Sequence, residues 1–465
     1  TNHLRSGENE LLAAVWDPTD THWQQKGKQV LKPETIYYTA TSGIWQTVWL
    51  EPVPLQNHIE RLRLLPDIDS EILWVTVISP VGAEVRLAAY AEGSEIGRVE
   101  GTTKEALRLP IPDPRMWSPQ NPFLYDLRIE LLSDRKVTDS VSSYFGMRKI
   151  SAGTGGQKQI LLNNKPVFLQ GVLDQGYWPD GGMTPPSDDA MIFDIEKTLS
   201  LGFNMTRKHI KAEPRRWYYH ADRLGLMVIQ DMISGGKDAL DEQETVRVVL
   251  SNRHRKDTTK RALRTAWRES EASRLDFERE LSELIEHLYN VPSILIWVPF
   301  NESWGQFEAA RIAASVKQQD PSRLVDHASG WLDQGAGDFC SRHTYVIKLK
   351  RPPRKDSRIH FISEYGGYNY REPGHQWNEQ SEYGYGTFAD KQGLNDAYAS
   401  LIRNQLVPLI SNGSGAAVYT QLTDVEIETN GLFTCDREIL KLDADLVREL
   451  NREIYEAFHR HEQTR

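Results

Sequence analysis

Cysteine is nearly missing from this 465-residue sequence, which carries Cys340 and Cys435 alone. Two cysteines exclude a disulfide scaffold, and with no C-x-x-C or clustered Cys/His pattern no metal site is expected. Long apolar runs are lacking as well. No stretch of about 20 apolar residues could cross a bilayer, so no membrane association is expected. Nor is there an excess of positive charge: 55 Lys and Arg stand against 65 Asp and Glu, a net charge of -10. That balance argues against nucleic acid or an anionic membrane surface as the main partner and suits a neutral ligand. The chain begins at Thr1 with neither an initiating Met nor a signal-like segment. We read it as starting inside a longer protein, expected to be soluble, with cytoplasmic and secreted locations both open.

What the chain does have is aromatic surface, 13 Trp and 18 Tyr. Aromatic faces stack on the apolar faces of sugar rings, although most such residues in any protein fill the core. With 39% hydrophobic and 26% charged residues the composition is that of a globular protein. At this length two or three domains are expected.

Residues 1–54 hold two short strand-like pieces, 10–16 and 47–51, separated by turn formers such as Asp17-Pro18 and Lys32-Pro33. That is too little for a sandwich of its own and reads as part of a domain. From 55 to 148 apolar and polar residues alternate at 59–64, 73–78, 84–90 and 124–131, punctuated by Pro112, Pro114, Pro119 and Pro122. This predicts a small immunoglobulin-like β-sandwich, most simply a structural spacer. From 149 to 465 strands alternate with helical stretches. Strands are predicted at 167–172, 203–209, 226–231, 294–300, 324–327, 339–345, 360–364 and 416–421, with helices among them at 188–201, 217–224, 277–289 and 308–318. Eight strands over about 310 residues fit a (β/α)8 TIM barrel. The charged stretch 238–271 reads as a solvated helical insertion.

The segment ILIWVPFNESWGQ at 294–306 carries the chemistry. Six of its first seven residues are apolar, as in a strand covered on both faces, and it then breaks into Asn301, Glu302 and Ser303. Carboxylates at the C-terminal ends of barrel strands are where such folds keep their catalytic groups. A second strand of this design, 360–363, runs into Glu364. Two carboxylates so placed suit cleavage of a glycosidic bond, one as proton donor and one as nucleophile or base. Either Glu alone could equally cap a helix or form a salt bridge.

Several motifs in order resemble glycoside hydrolase family 2, the family of β-galactosidases, β-glucuronidases and β-mannosidases. SGIWQTVWLE at 42–51 is similar to the close of that family's N-terminal jelly-roll domain, and MWSPQNP at 116–122 and FGMR at 145–148 to landmarks of its immunoglobulin-like domain. GFNMTR at 202–207 resembles its second barrel strand, and NVPS at 290–293 through Asn301-Glu302 its acid/base signature. The resemblance implies a multidomain protein with a partial jelly roll (1–54), an immunoglobulin-like sandwich (55–148) and a catalytic barrel (149–465). It implies a retaining exo-β-glycosidase, foremost β-galactosidase-like, without an organic cofactor and acting on a carbohydrate; a homo-oligomer is left open. Glu302 would be the acid/base and Glu364 the nucleophile, with Asn301 on the sugar 2-hydroxyl and Arg207 ordering Glu364.

The chain departs from the familiar pattern at RKHIK (207–211), where His209 stands one residue earlier than the family's histidine, and at AVYTQ (417–421), which lacks the usual Trp. A β-glucuronidase or β-mannosidase, or an inactive carbohydrate-binding protein or fragment, are the alternatives. Further candidates for sugar contact are Asp174 and Trp178 after the first strand, Trp304 beside Glu302, and Trp331, His343 and Tyr345 near strands five and six. Tyr365 and Tyr368 follow Glu364, and Gln421 and Asp424 would complete the rim. Each has a plainer reading as a turn, packing or structural residue.

Overall fold

The computed structural model describes residues 3–153, 158–238, 240, 255–350 and 356–464. Alternation between residues 61 and 145 builds two antiparallel sheets. One runs in the order Arg61–Asp67, Ile72–Ile78, Ala106–Pro110, and the other in the order Ser94–Thr102, Glu84–Ala91, Tyr125–Ser133, Lys136–Phe145. Side chains of a strand point alternately to its two faces, so Val75 and Val77 of the first sheet meet Val85, Leu87 and Ile129 of the second in a common core. The predicted sandwich is thus present.

FGMR joins the sandwich to the barrel. The buried Arg148 guanidinium donates to the carbonyls of Pro292, Ser322 and Ile294 at 2.9, 3.2 and 3.0 Å. Trp117 Nε1 donates to Asp222 O at 2.7 Å, and Tyr144 donates its hydroxyl to the Asp222 carboxylate at 2.9 Å.

Eight parallel strands form the barrel: Leu169–Asp174, Met205–Lys208, Met227–Asp231, Ile294–Val298, Leu324–Val325, Phe339–Thr344, Ile359–Gly366 and Ser414–Thr420. Their ladder order is fifth, fourth, third, second, first, eighth, seventh, sixth. Between the fifth and sixth strands single bonds replace a ladder: Asp338 N donates to Val325 O at 2.8 Å and Ser341 Oγ to Ala328 O at 3.1 Å. Helices Asp188–Ser200, Arg215–Leu224, Glu271–Leu288, Ala309–Gln319, Lys391–Leu401 and Ala444–Gln463 pack outside. Ser187, Asp390 and Asp443 each accept a free N–H at a helix start.

The alternation that fills the barrel also selects what reaches its mouth. Leu169, Leu173, Met205, Met227, Ile229, Ile296 and Val298 fill the interior. Arg207 and Asp231 are two residues on from Met205 and Ile229, so they lie on the same inner face at the C-terminal end.

Four expectations change. Neither 10–16 nor 47–51 is a strand; among the described residues before 58 the regular structure is one parallel pair, Gln29–Val30 with Tyr38–Thr39. This segment lies across the barrel mouth, where Lys26 N and Gly27 N both donate to Ser234 O at 2.9 Å. The fifth strand is shorter than its predicted span, and the first is shifted two residues towards its C-terminus. Residues 239 and 241–254 of the charged stretch lie outside the described residues, but its second half is not a solvated excursion. Buried Asp257 accepts from Gln306 Nε2 at 3.0 Å and Ala309 N at 2.9 Å, and buried Arg268 donates to Gly305 O at 3.1 Å, so both brace the loop after Glu302.

Candidate active site

Arg207 is the hub of the barrel mouth. Its Nε and Nη2 clamp the Asp231 carboxylate, both at 2.9 Å, Nη2 also donates to Asn301 Oδ1 at 2.8 Å, and Nη1 donates to Glu364 Oε1 at 3.0 Å and Ser363 O at 3.1 Å. Burial opposes the Arg207 charge, but Asp231 and Glu364 outweigh it and hold its pKa above the ordinary value. Burial likewise opposes the Asp231 charge, and Arg207 and His209 outweigh it, so that pKa is lowered.

Glu302 turns inward because the chain reverses sharply after the fourth strand. Glu302 and Ser303 take left-handed φ of 49° and 66°, Glu302 N donates to Ser329 O at 2.9 Å, and Trp304 N donates to Asn301 O at 2.9 Å. Such backbone is costly for residues with a Cβ, and here the surrounding hydrogen bonds hold it. Glu364 reaches the same space through an irregularity in the seventh strand: the sixth strand's register jumps from Arg342↔Ile362 to His343↔Glu364, skipping Ser363.

Between the two carboxylates stands His343. Its Nδ1 is 2.7 Å from Glu302 Oε1 and its Nε2 is 3.3 Å from Glu364 Oε1. Burial, helped by Arg207, depresses its pKa to about 4, so the ring is neutral. Donors face Nε2, Ser329 Oγ at 3.1 Å and Arg207 Nη1 at 3.4 Å, which assigns the ring proton to Nδ1, toward Glu302. One ligand-type atom from each of Glu302, His343 and Glu364 lies within 4.8 Å of the others. Carboxyl oxygens within that bound suit the pair about 5 Å apart used by retaining glycosidases and fall short of the roughly 6.5–9.5 Å of inverting ones. Two further such clusters among the described residues are placed elsewhere, Asp333–Cys340–Asp356 beside Arg358 and His375–Asp436–Glu438 at the surface.

Electrostatics separate the two glutamates. Burial raises Glu302 to about 7, Glu428 adds to this, and Lys28 and Arg207 oppose it. Burial and Glu302 raise Glu364 too, but Arg207 and the Tyr345 hydroxyl that donates to Glu364 Oε2 favour its anion. A carboxyl that keeps its proton near neutrality thus faces a carboxylate held by a guanidinium and a phenol, an arrangement able to protonate a leaving group and attack a carbon at once.

Of the sequence candidates, Glu302, Glu364, Arg207, Asn301, His343 and Tyr345 come together. His209 joins them: its Nδ1 is 3.0 Å from Asp231 Oδ2 and 3.9 Å from Glu364 Oε1, and burial lowers its pKa to about 3. Trp331 lies with its ring centroid 5.8 Å from that of His343. Trp304 is covered by Tyr37 of the N-terminal segment, the rings stacked at 5.4 Å. Gln421, following a cis peptide, accepts from Gln175 at 2.6 Å and donates to Asn430 at 2.7 Å.

Five candidates stand apart. Asp174 pairs in register with Lys208, on the strand face opposite Arg207, and takes its ammonium at 2.6 Å. Trp178 stacks under the Arg437 guanidinium at 3.6 Å. Tyr365 accepts from Gln170 and packs on Tyr419 in the layer beneath the helices, and Tyr368 packs on Phe388. Asp424 is held by Lys441 at 2.6 Å and by Gly431 N at 2.7 Å, bracing the loop after the eighth strand.

Other residues of the site were not singled out from sequence. Asp231, the carboxylate ending the third strand, carried the same signal as Glu302. Lys28, Tyr38 and Glu428, which form one buried cluster, and Tyr385, stacked on Tyr345 at 3.8 Å, lie in loops or, for Tyr38, a two-residue strand, too short to show any periodicity.

Comparison with known proteins gives the family. The family model described as Glycosyl hydrolases family 2, TIM barrel domain, matches residues 156–407, and that described as Glycosyl hydrolases family 2 matches residues 67–148. The chain belongs to glycosyl hydrolase family 2. Among its relatives in the family, a β-galactosidase of Vibrio vulnificus is 26% identical over 361 residues, 73% of this chain and 31% of that protein. A putative β-glucuronidase of Formosa agariphila is 26% identical over 408 residues, 79% of this chain and 44% of that protein. The chain therefore spans less than half the length of these relatives. The solved β-D-glucuronidase of Dictyoglomus thermophilum covers 85% of this chain, and 69% of its own is matched, with a TM-score of 0.67 and 15% identity. A galacturonate-bound GH2 β-galacturonidase of Eisenbergiella tayi covers 85%, with 72% of its own matched, a TM-score of 0.62 and 17% identity. At these identities the structural likeness is one of fold.

Proposed function

We propose that this chain is a retaining, exo-acting β-glycosidase that removes terminal neutral sugars, β-galactosides foremost, without a cofactor. The observation that carries the reading is the facing pair Glu302 and Glu364, with oxygens within 4.8 Å and opposite electrostatic bias. Glu364 attacks the anomeric carbon while the bond to the leaving oxygen breaks and Glu302 gives that oxygen its proton. Glu302, now a carboxylate, takes a proton from water as the water attacks the same carbon and frees Glu364. Asn301 supports this assignment: Arg207 fixes its carbonyl oxygen, and its buried Nδ2 has no partner among the described residues, leaving a donor for the sugar 2-hydroxyl.

Exo action is favoured by enclosure, since both carboxylates are buried and residues 26–41 cross the mouth. Within the N-terminal 54 residues, 26–41 act as a wall on the barrel, and 55–148 act as its spacer. The charge count favours a neutral sugar over a uronide. Arg207 is matched by Asp231 and Lys28 by Glu428, so a sugar carboxylate would meet the Glu364 anion with no unmatched cation among these groups. The names of the β-galactosidase relatives point the same way.

A panel of nitrophenyl β-glycosides, with the first-formed anomer followed by NMR, tests this. The β-galactoside is expected to turn over fastest with retained configuration. Inverted product would exclude Glu364 as nucleophile, and faster uronide cleavage would exclude the sugar assignment.

A further inference from the structure

Lys28 enters the catalytic chamber on a segment with almost no regular structure. The Gln25–Gly235 bridge and the bonds of Lys26 N and Gly27 N to Ser234 O fix that segment on the loop after the third barrel strand. Gly27 has φ of 63°, and a Cβ there would lie 3.0 Å from the Ile210 carbonyl oxygen, so a glycine is what allows so close an approach. The adjoining Lys28 side chain is buried, 5% exposed.

A buried ammonium carries three N–H donors. Among the described residues Lys28 donates to Glu428 Oε2, at a long 3.4 Å, and its other neighbour is the face of Tyr38. Glu428, by contrast, takes three donors: the Tyr38 hydroxyl and Lys28 donate to Oε2, and Asn430 Nδ2 donates to Oε1 at 3.3 Å. A buried ammonium with one long acceptor among the described residues has N–H groups to offer a ligand. Geometry sets this pair at the edge of the catalytic groups: Gly27 lies against the Ile210 carbonyl, next to His209, Tyr37 of the same segment stacks on Trp304, two residues past Glu302, and Asn430, which donates to Glu428, accepts from Gln421 at 2.7 Å.

We propose that Lys28 is a substrate-contacting residue, its ammonium donating to hydroxyl oxygens of the terminal sugar while Glu428 balances its charge, so that the pair selects hydroxyl-bearing over carboxylate-bearing sugars. The inference rests on the glycosidase reading above and deepens it. Neutralising Glu428 would leave Lys28 an unmatched cation, and the same wall would then attract a uronate carboxylate.

The pair also acts on the acid. Arg207, His343 and Glu364 face Glu302 from the second, sixth and seventh strands, and Asp238 and Glu428 from loops. Tyr37 and Lys28 face it from the N-terminal segment. Lys28 lowers its pKa and Glu428 raises it. Removing either charge therefore shifts the alkaline limb of activity in opposite senses, upward for Lys28→Met and downward for Glu428→Gln. A merely structural defect would not do this.

The test measures kcat and KM across pH for the full chain and for Lys28→Met, Lys28→Arg and Glu428→Gln, on nitrophenyl β-galactoside and β-galacturonide. Lys28→Met is expected to lose about tenfold or more in kcat/KM on the galactoside, mainly through KM, with partial recovery in Lys28→Arg. Glu428→Gln is expected to raise the galacturonide-to-galactoside ratio about tenfold or more. If Lys28→Met does not fold, the ratio in Glu428→Gln decides, and an unchanged ratio overturns the proposal. A wild type active on the galactoside, with KM and pH limb unmoved in Lys28→Met, overturns the role of Lys28 alone. A wild type that cleaves no β-glycoside overturns both readings.

Discussion

Arg207 distributes its donors among Asp231, Asn301, Glu364 and the Ser363 carbonyl, so one planar group sets four positions at once. A lysine keeps the charge and loses the fork. Arg207→Lys is expected to cut kcat at least about 100-fold on the preferred nitrophenyl glycoside, a loss on the scale of misplaced catalytic groups. The proton on Glu302 gives a second expectation. With that pKa at about 7, kcat/KM falls as pH rises above about 7, because the acid form is lost. The folded pKa lies above the ordinary value of 4.5. The folded state therefore holds the proton more tightly than the unfolded chain does. This contribution to stability is complete below about pH 4.5 and disappears as pH rises through about 7, and it amounts to about 3 kcal/mol. Glu302→Gln, which cannot titrate, should narrow the difference in unfolding free energy between pH 5 and pH 8 by about that amount in urea titrations. Much of this site was legible in sequence because a carboxylate, amide or guanidinium breaking off an apolar strand marks the barrel mouth. What sequence could not supply was the face. The register jump past Ser363 turns Glu364 inward and Tyr365 outward, and the pairing of Asp174 with Lys208 sends both away from Arg207.

At the scale of elements, the eight barrel strands were readable because strands covered on both faces are near-continuous apolar runs. The stretches 10–16 and 47–51 share some of that apolar character, yet they have no ladder partner among the described residues and stay irregular. Alternation proposes a strand; an adjacent edge makes one. The joint between sandwich and barrel shows the converse, a short motif with a large structural role. Arg148 is buried with three carbonyls as acceptors, and burial and Arg323 depress its pKa to about 9. Arg148→Met would take this donor from the Pro292 and Ser322 carbonyls, while Ile294 O keeps Arg323 Nε at 2.8 Å. It is expected to lower stability by about 3 kcal/mol in urea unfolding, with the catalytic pH limb unmoved.

For the whole molecule, the N-terminal segment presents a different face outward from the one it turns to the barrel. Leu11, Leu12, Trp16, Val48, Trp49 and Leu50 are each at least 68% exposed. Apolar surface so concentrated promotes association. The chain is expected to bind a hydrophobic dye and to show concentration-dependent sedimentation, and replacing these six residues by serine should suppress both while the barrel's circular dichroism is kept.

The inner face of the same segment bears on how such a chain could diversify. Lys28 and Tyr38 belong to a stretch tied to the barrel by loop hydrogen bonds and single side chains, whereas Arg207, Glu302 and Glu364 are fixed by the strand framework. On the proposal above, substitutions within residues 26–41 would alter the accepted sugar and tune the Glu302 proton while leaving the strand-held Arg207–Glu364 framework in place, so a grafted segment becomes a route to new specificity on the same barrel.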